Sequence, residues 1–100
     1  MSRLHDDKAK VYKAFSDSSS LMILELLQGG ELCANGLLAK LPIAQSTLSH
    51  HMKTLTESDI VDVRRDGKMM VYSINSKRGK AAADYLTKVT AIKAVTTKNV

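Results

Sequence analysis

Two adjacent histidines and a single cysteine are the side chains of this sequence best suited to ligate a metal or act as a nucleophile. His50 and His51 are expected on one helix, where neighbouring side chains diverge by about 100° and do not readily share an ion. Cys33 is the only cysteine, which excludes an intrachain disulfide. A cysteine–histidine nucleophile would need an orienting third group and an oxyanion site, and no such motif is present. We therefore expect neither an enzyme nor a histidine-based metal site.

The stretch from Gln45 to Ser58 has the pattern of a helix with one apolar and one polar face. Leu48, Met52 and Leu55 recur at helical spacing and are expected to face a core. The opposite face is small, polar or basic, and no acidic side chain occurs from residue 32 to residue 56. Hydroxyl and imidazole groups can bond to base edges in a major groove, and a lysine can reach a phosphate. The predicted DNA-contacting residues of this helix are Gln45, Ser46, Thr47, Ser49, His50 and Lys53.

The alternative for this face is an ordinary solvated helix surface. Such surfaces usually include Glu and Asp, and their absence here favours an anionic partner. His51 lies beside the apolar stripe, so we expect it to be half-buried and hydrogen-bonded rather than in contact with DNA.

Basic residues near position 66 form a second candidate surface. The chain has a formal net charge of +5, which favours an anionic partner. Arg64, Arg65 and Lys68 cluster around Asp66-Gly67, a strong signal for a two-residue hairpin turn. A basic hairpin tip can follow the DNA backbone or enter a minor groove, and the alternative is a tip that only aids solubility. We predict that these three basic side chains contact DNA.

Hydrophobic periodicity and turn residues predict four helices in the first part of the chain. Ser16 to Ser19 break the pattern and supply capping side chains for the second helix, Gly29-Gly30 ends that helix, and Pro42 closes the third. The four predicted helices are 4–15, 21–27, 31–41 and 45–58.

A β-hairpin over 60–74 and a last helix over 78–96 are predicted to follow. Pairing about Asp66-Gly67 places Val63 opposite Met70 and Val61 opposite Tyr72, on one buried face. The order α-α-α-α-β-β-α is mainly α with a β-hairpin. It predicts a winged helix-turn-helix in a single domain, residues 1–100.

The last helix carries an apolar stripe that is long for a terminal helix in so small a protein. Because small domains gain stability from additional burial, we expect this stripe and the first helix to form a homodimer interface. The alternative is that the stripe packs on its own domain. The stripe consists of Ala82, Tyr85, Leu86, Val89 and Ile92.

The compartment follows from three sequence features. The single cysteine fits a reducing environment, no apolar run approaches the roughly 18 residues of a membrane span, and the first ten residues lack the apolar region of a signal peptide. We expect a cytoplasmic protein without a membrane partner.

The chain resembles the ArsR/SmtB family of bacterial repressors, and is most similar to its arsenic-repressor branch. The resemblance covers about residues 10–76. It implies a winged helix-turn-helix homodimer held by the first and last helices, binding to a palindromic operator, and release by an inducer. Five strings in the same order carry it: Ala14–Asp17, Ile23–Leu27, Gly30–Cys33, Gln45–Lys53 and Arg65–Lys68.

The sensing residues that this resemblance implies are incomplete. Arsenic sensors of the family carry Cys-x-Cys in the third helix, whereas here Cys33 is followed by Asn35, a poor ligand for a soft metalloid. Family members that bind zinc-like ions use Asp and His pairs on the last helix, where this chain keeps only Asp84. The family's frequent Pro-Thr-Arg is replaced by Ser18-Ser19-Ser20, so a phosphate contact from that arginine is not expected.

Three interpretations of the inducer follow for Cys33. It could pair with its dimer mate in a redox or metal-bridging site, or join His5, Asp6 and Asp7 in a mixed site. In the third, which we favour, there is no metal, and DNA binding is constitutive or controlled by another ligand or by abundance. We expect no cofactor, and Cys33 is either the remnant of an inducer or redox site or a small core residue.

These features predict a sequence-specific, homodimeric transcriptional repressor that binds a double-stranded palindromic operator. The alternative is a winged-helix protein–protein interaction module without specific DNA binding. Salt separates the two, because affinity for DNA falls steeply with added salt and docking through an apolar interface does not.

Overall fold

A computed structural model describes residues 3–93 as five helices and a small sheet. None of the helices among these residues has the length and apolar character needed to cross a membrane. The elements are α1 (Arg3–Lys13), α2 (Ser18–Leu27), β1 (Leu32–Cys33), α3 (Ala34–Leu38), α4 (Gln45–Glu57), β2 (Val61–Asp66), β3 (Met69–Ile74) and α5 (Ser76–Thr90).

The predicted break between the first two helices is confirmed, and one carboxylate fixes where α2 begins. Asp17 is the N-cap of α2, and its Oδ1 accepts hydrogen bonds from the N–H groups of Ser19 at 2.7 Å and Ser20 at 3.4 Å. Capping by Asp satisfies N–H groups that have no partner within the helix. The first helix ends at Lys13 rather than at Phe15 as predicted.

The predicted third helix starts too early, because Leu32 and Cys33 form a strand. Leu32 pairs with Tyr72 and Cys33 with Val71, so β1 adds a third, antiparallel strand in the order β1-β3-β2. The thiol of Cys33 then accepts a hydrogen bond from the N–H of Gly36 at 3.4 Å and caps α3. The helix ends at Leu38 instead of Leu41, before Pro42 is reached.

The hairpin exists as predicted, but its turn lies one residue later, which shifts the strand pairing by two residues. Val63 pairs with Tyr72 and Asp66 with Met69, which leaves Gly67 and Lys68 as the two turn residues. Gly67 has φ +64°, and a positive φ at the first turn position alone is the II′ pattern, which favours glycine there. The predicted turn at Asp66-Gly67 and the predicted pairs are therefore wrong, although the same side chains still share a face.

The core is apolar and centres on the inner face of α4. Leu48, Met52 and Leu55 are buried, with exposed fractions of 2%, 2% and 0%, which confirms the predicted inner stripe. They belong to one cluster with Ile23 and Leu37. The predicted burial of one hairpin face is only partly right. Val61 on that face is buried, whereas Val63 is 41% exposed, and the buried Val71 lies on the opposite face with Arg64.

The first and last helices contact each other through aromatic side chains. The rings of Tyr12 and Tyr85 stack with centroids 6.1 Å apart, and the Tyr12 hydroxyl donates to the carbonyl of Ala82 at 2.8 Å. Helix α5 begins at Ser76, capped by the Asn75 side chain, and ends at Thr90. The helix predicted over 78–96 therefore starts two residues later than the observed helix, and residues 91–93 are not helical. Residues 94–96 lie outside the described part of the chain.

Candidate nucleic-acid interface

Helix α4 presents its polar face to solvent along its first two and a half turns. All six of its predicted contact residues are exposed, because the buried stripe of Leu48, Met52 and Leu55 fixes how the helix is rotated. Ala44, the N-cap, makes no side-chain hydrogen bond, and no acidic residue occupies the first turn. The first N–H groups of α4 are thus available to an outside anion such as a phosphate.

A groove of about 270 Å³ joins this helix face to the hairpin. Ser49 and Lys53 of the predicted contact set line the groove, whereas none of the predicted hairpin contacts Arg64, Arg65 and Lys68 does. Burial raises the pKa of Tyr72, so its hydroxyl remains neutral at ordinary pH. The lining residues are Ser49, Met52, Lys53 and Thr56 of α4 with Val63, Met70 and Tyr72 of the hairpin.

The two adjacent arginines of β2 have different surroundings, because neighbouring strand residues point to opposite faces. Nη2 of Arg64 donates to Oε1 of Glu31 at 2.6 Å, and Nη1 lies 3.8 Å from a carboxylate oxygen of Asp66. This hydrogen bond and the Glu31 charge raise the pKa of Arg64. Arg65 pairs with Met70 on the face that carries Val63 and Tyr72. Among residues 3–93, Arg65 and Lys68 form no ion pair, so they are available without breaking a contact.

The two histidines differ as predicted in exposure. His50 is exposed, whereas the His51 side chain is 12% exposed. Nδ1 of His51 lies 3.9 Å from Oδ1 of Asp17, which is too far for a hydrogen bond, so His51 is half-buried as predicted but does not form the expected hydrogen bond with this neighbour. Their rings meet edge to face with centroids 5.6 Å apart. Within the described part of the chain there is no group of three or more His, Cys, Asp or Glu side chains able to hold a metal.

Cys33 lies beside the tip of the hairpin and not near the first helix. It is half-buried and lines a cavity of about 160 Å³ with Asn35, Lys68 and Met69. Asp7, in contrast, lines pockets next to Ser58 and Arg78. Within residues 3–93 of one chain, the structure does not bring Cys33 together with His5, Asp6 and Asp7.

Two features of this surface were not found from the sequence. The Glu31–Arg64 bond joins β2 to the residue just before β1, where the sequence predicts a helix. The Asp17–His51 contact joins residues 34 positions apart, as their numbers show, and no local pattern indicates it.

Helices α3 and α4 joined by a short turn and followed by the β2–β3 hairpin define a winged helix-turn-helix protein. Residues 17–63 match the family described as "Bacterial regulatory protein, arsR family". The chain is 45% identical over 71 residues to the arsenical resistance operon repressor of Staphylococcus aureus, covering 71% of this chain and 68% of that protein. It therefore belongs to the ArsR family of transcriptional regulators, which are DNA-binding transcription factors and not enzymes.

Other proteins with known names or structures agree with this assignment. The transcriptional repressor SdpR of Bacillus subtilis is 33% identical over 66 residues, which cover 66% of this chain and 73% of the repressor. A homodimeric winged helix-turn-helix DNA-binding domain from Mycobacterium bovis, solved by NMR, has a TM-score of 0.72 and 26% identity, covering 86% of this chain and 81% of that domain.

Replacing each arginine of β2 in turn is expected to separate their roles. Arg65→Ala removes an unpaired cation from the groove face, so affinity for duplex DNA should fall and the dependence of log K on log salt should flatten by about one unit. Arg64→Ala removes a cation already paired with Glu31, so its effect should be several-fold smaller. Fluorescence anisotropy over a salt series measures both, and equal losses would contradict the assignment.

Proposed function

We propose that this protein is a homodimeric repressor that binds a palindromic operator, with α4 in the major groove and the hairpin on the adjoining backbone. The observation that carries the proposal is the exposed face of α4. It combines hydroxyls, an imidazole and a lysine without a carboxylate, next to a groove whose other wall is the hairpin. Such a face approaches a polyanion without repulsion and offers short groups to base edges.

Exposed apolar side chains on the terminal helices support the homodimer. Leu86 is 46% exposed, Val89 52% and Leu4 61%, and no residue of α1 is buried. A closed two-fold dimer presents two α4 helices about 34 Å apart to successive major grooves, and this is the geometry that a palindrome matches.

The inducer is proposed not to be arsenite. Cys33 is one soft ligand, Asn35 beside it is exposed and offers only an amide, and the thiol already accepts the Gly36 N–H. We propose that DNA binding is constitutive or responds to another signal, with Cys33 acting chiefly as the cap of α3.

Removing two groups from the α4 face tests operator binding. Ser49→Ala combined with His50→Ala should weaken binding to the operator at least about tenfold, since each good base contact contributes about 1–3 kcal/mol, and should leave the thermal unfolding temperature nearly unchanged because both residues are exposed. Gel shifts on the DNA upstream of the gene, repeated over a salt series, measure this. Unchanged affinity, or binding insensitive to salt, would instead favour a protein-docking module.

Polar substitution of the α5 stripe tests the dimer. Leu86→Gln with Val89→Gln leaves the charge and the helix propensity nearly unchanged. Each apolar side chain that is no longer buried in the interface costs about 1.5–3 kcal/mol of dimer stability. The dimer dissociation constant should therefore rise more than about a hundredfold. Sedimentation velocity at micromolar concentration should show monomer for this variant and dimer for Thr87→Gln, which alters the opposite side of α5. A double variant that remains dimeric would refute the interface.

Restoring the second thiol tests the inducer proposal. Asn35→Cys recreates Cys-x-Cys at the start of α3, so arsenite should release this variant from the operator, because two thiolates hold a soft ion far better than one. The wild type and the Asn35→Ser control should remain bound at the same arsenite concentration. Release of the wild type from the operator by arsenite would show that Cys33 is sufficient as the thiol ligand of each chain, and would refute the proposal.

A further inference from the structure

One polar contact links the start of α2 to the helix proposed to read DNA. Nδ1 of His51 lies 3.9 Å from Oδ1 of Asp17, and the His51 side chain is only 12% exposed. The other α4 residues that face inward, Leu48, Met52 and Leu55, are apolar. Apolar packing holds α4 in place, but it is non-directional, whereas the approach of the His51 ring to Asp17 places one polar side chain of α4 next to one point on α2.

The carboxylate of this contact is itself held in place. The same Oδ1 of Asp17 accepts the N–H groups of Ser19 at 2.7 Å and Ser20 at 3.4 Å. Ser20 is 1% exposed, so this first turn of α2 is set firmly against the core. His51 is therefore opposed by a fixed partner and not by a mobile surface side chain.

On the other side, His51 touches a residue of the DNA-facing surface. The ring centroids of His50 and His51 are 5.6 Å apart with an interplanar angle of 64°. Such an edge-to-face arrangement restricts how the exposed His50 ring can turn. A continuous series of contacts thus runs from the capped end of α2, through His51, to a residue proposed to contact bases.

We infer that Asp17 and His51 are a positioning pair that sets the rotation of α4 and the orientation of the His50 ring for operator recognition. The inference rests on the proposed function and deepens it. It assigns a role in specificity to two residues that act through His50 rather than by contacting DNA themselves.

For removal of the Asp17 carboxylate, general electrostatics and a positioning role predict opposite changes in DNA affinity, so the pair can be tested. The Asp17 side chain is 49% exposed, and removing an acidic group from a DNA-binding protein ordinarily strengthens binding to the phosphate backbone. Positioning requires that loss of the carboxylate weakens binding to the operator. The two explanations therefore differ in the sign of the change.

The experiment uses the full chain, a duplex selected by the wild type from a random pool, and a scrambled duplex of equal length. Asp17→Ser keeps a good N-cap for α2 but removes the partner of His51, and His51→Leu removes the imidazole. Asp84→Ser is the charge-matched control, because Asp84 forms an exposed pair with Lys80 on α5 at 3.0 Å. His51→Asn retains a polar side-chain group close to the position of Nδ1.

Asp17→Ser and His51→Leu should each lower affinity for the selected duplex about tenfold, the size of one lost base contact, with little change on the scrambled duplex. The double variant should lose no more than either single variant, since both remove the same contact. His51→Asn should recover part of the loss, and Asp84→Ser should bind as tightly as the wild type or tighter.

Two results would overturn the inference. One is binding of Asp17→Ser to the selected duplex at least as tight as that of Asp84→Ser, and the other is additive losses in the double variant. If Asp17→Ser is less stable in thermal unfolding, the comparison of His51→Leu with His51→Asn decides, because both leave the α2 cap intact. A wild type that does not distinguish the selected from the scrambled duplex would refute the proposed function itself, and the positioning role with it.

Discussion

Burial of the inner stripe of α4 is the constraint on which the rest of this molecule depends. Leu48, Met52 and Leu55 pack with Ile23 and Leu37 in one cluster, and their burial leaves a single rotation of the helix that keeps all three out of water. Because side chains on a helix are separated by fixed angles, this rotation also determines which polar residues face outward. Core packing and the surface proposed for DNA are therefore two consequences of one arrangement.

The sequence predicted best what depends on short-range periodicity, and least what depends on partners far along the chain. The inner stripe of α4 and the outward residues Ser46 to Lys53 follow from a repeat within one helix. The strand at Leu32 and Cys33 does not, because two residues become a strand only when the free edge of β3 is beside them. The turn was misplaced for a local reason, since Asp66-Gly67 and Gly67-Lys68 both satisfy a two-residue turn and place the same side chains on each face.

Cys33 lies close to the hairpin proposed to contact DNA, since it lines a cavity with Lys68 and Met69, but its own hydrogen bond is made within α3. The proposed DNA surface lies on α4 and the hairpin, whereas Cys33 lies at the start of α3, where its thiol caps the helix. A thiol that caps a helix has a structural role even without a metal, so its presence alone says little about an inducer. The position of Asn35 beside it leaves the helix intact while removing the second soft ligand that arsenic sensors of the family carry.

The bond between Arg64 and Glu31 gives the hairpin two electrically different faces. On one face the arginine is neutralised by Glu31 and Asp66, while on the other Arg65 stays cationic beside the groove. Because strand residues alternate between faces, inserting or deleting one residue in β2 would exchange these two arginines. The length of this strand is thus constrained by charge as well as by packing, and a hairpin of the same composition with one residue more would present its neutral side to DNA.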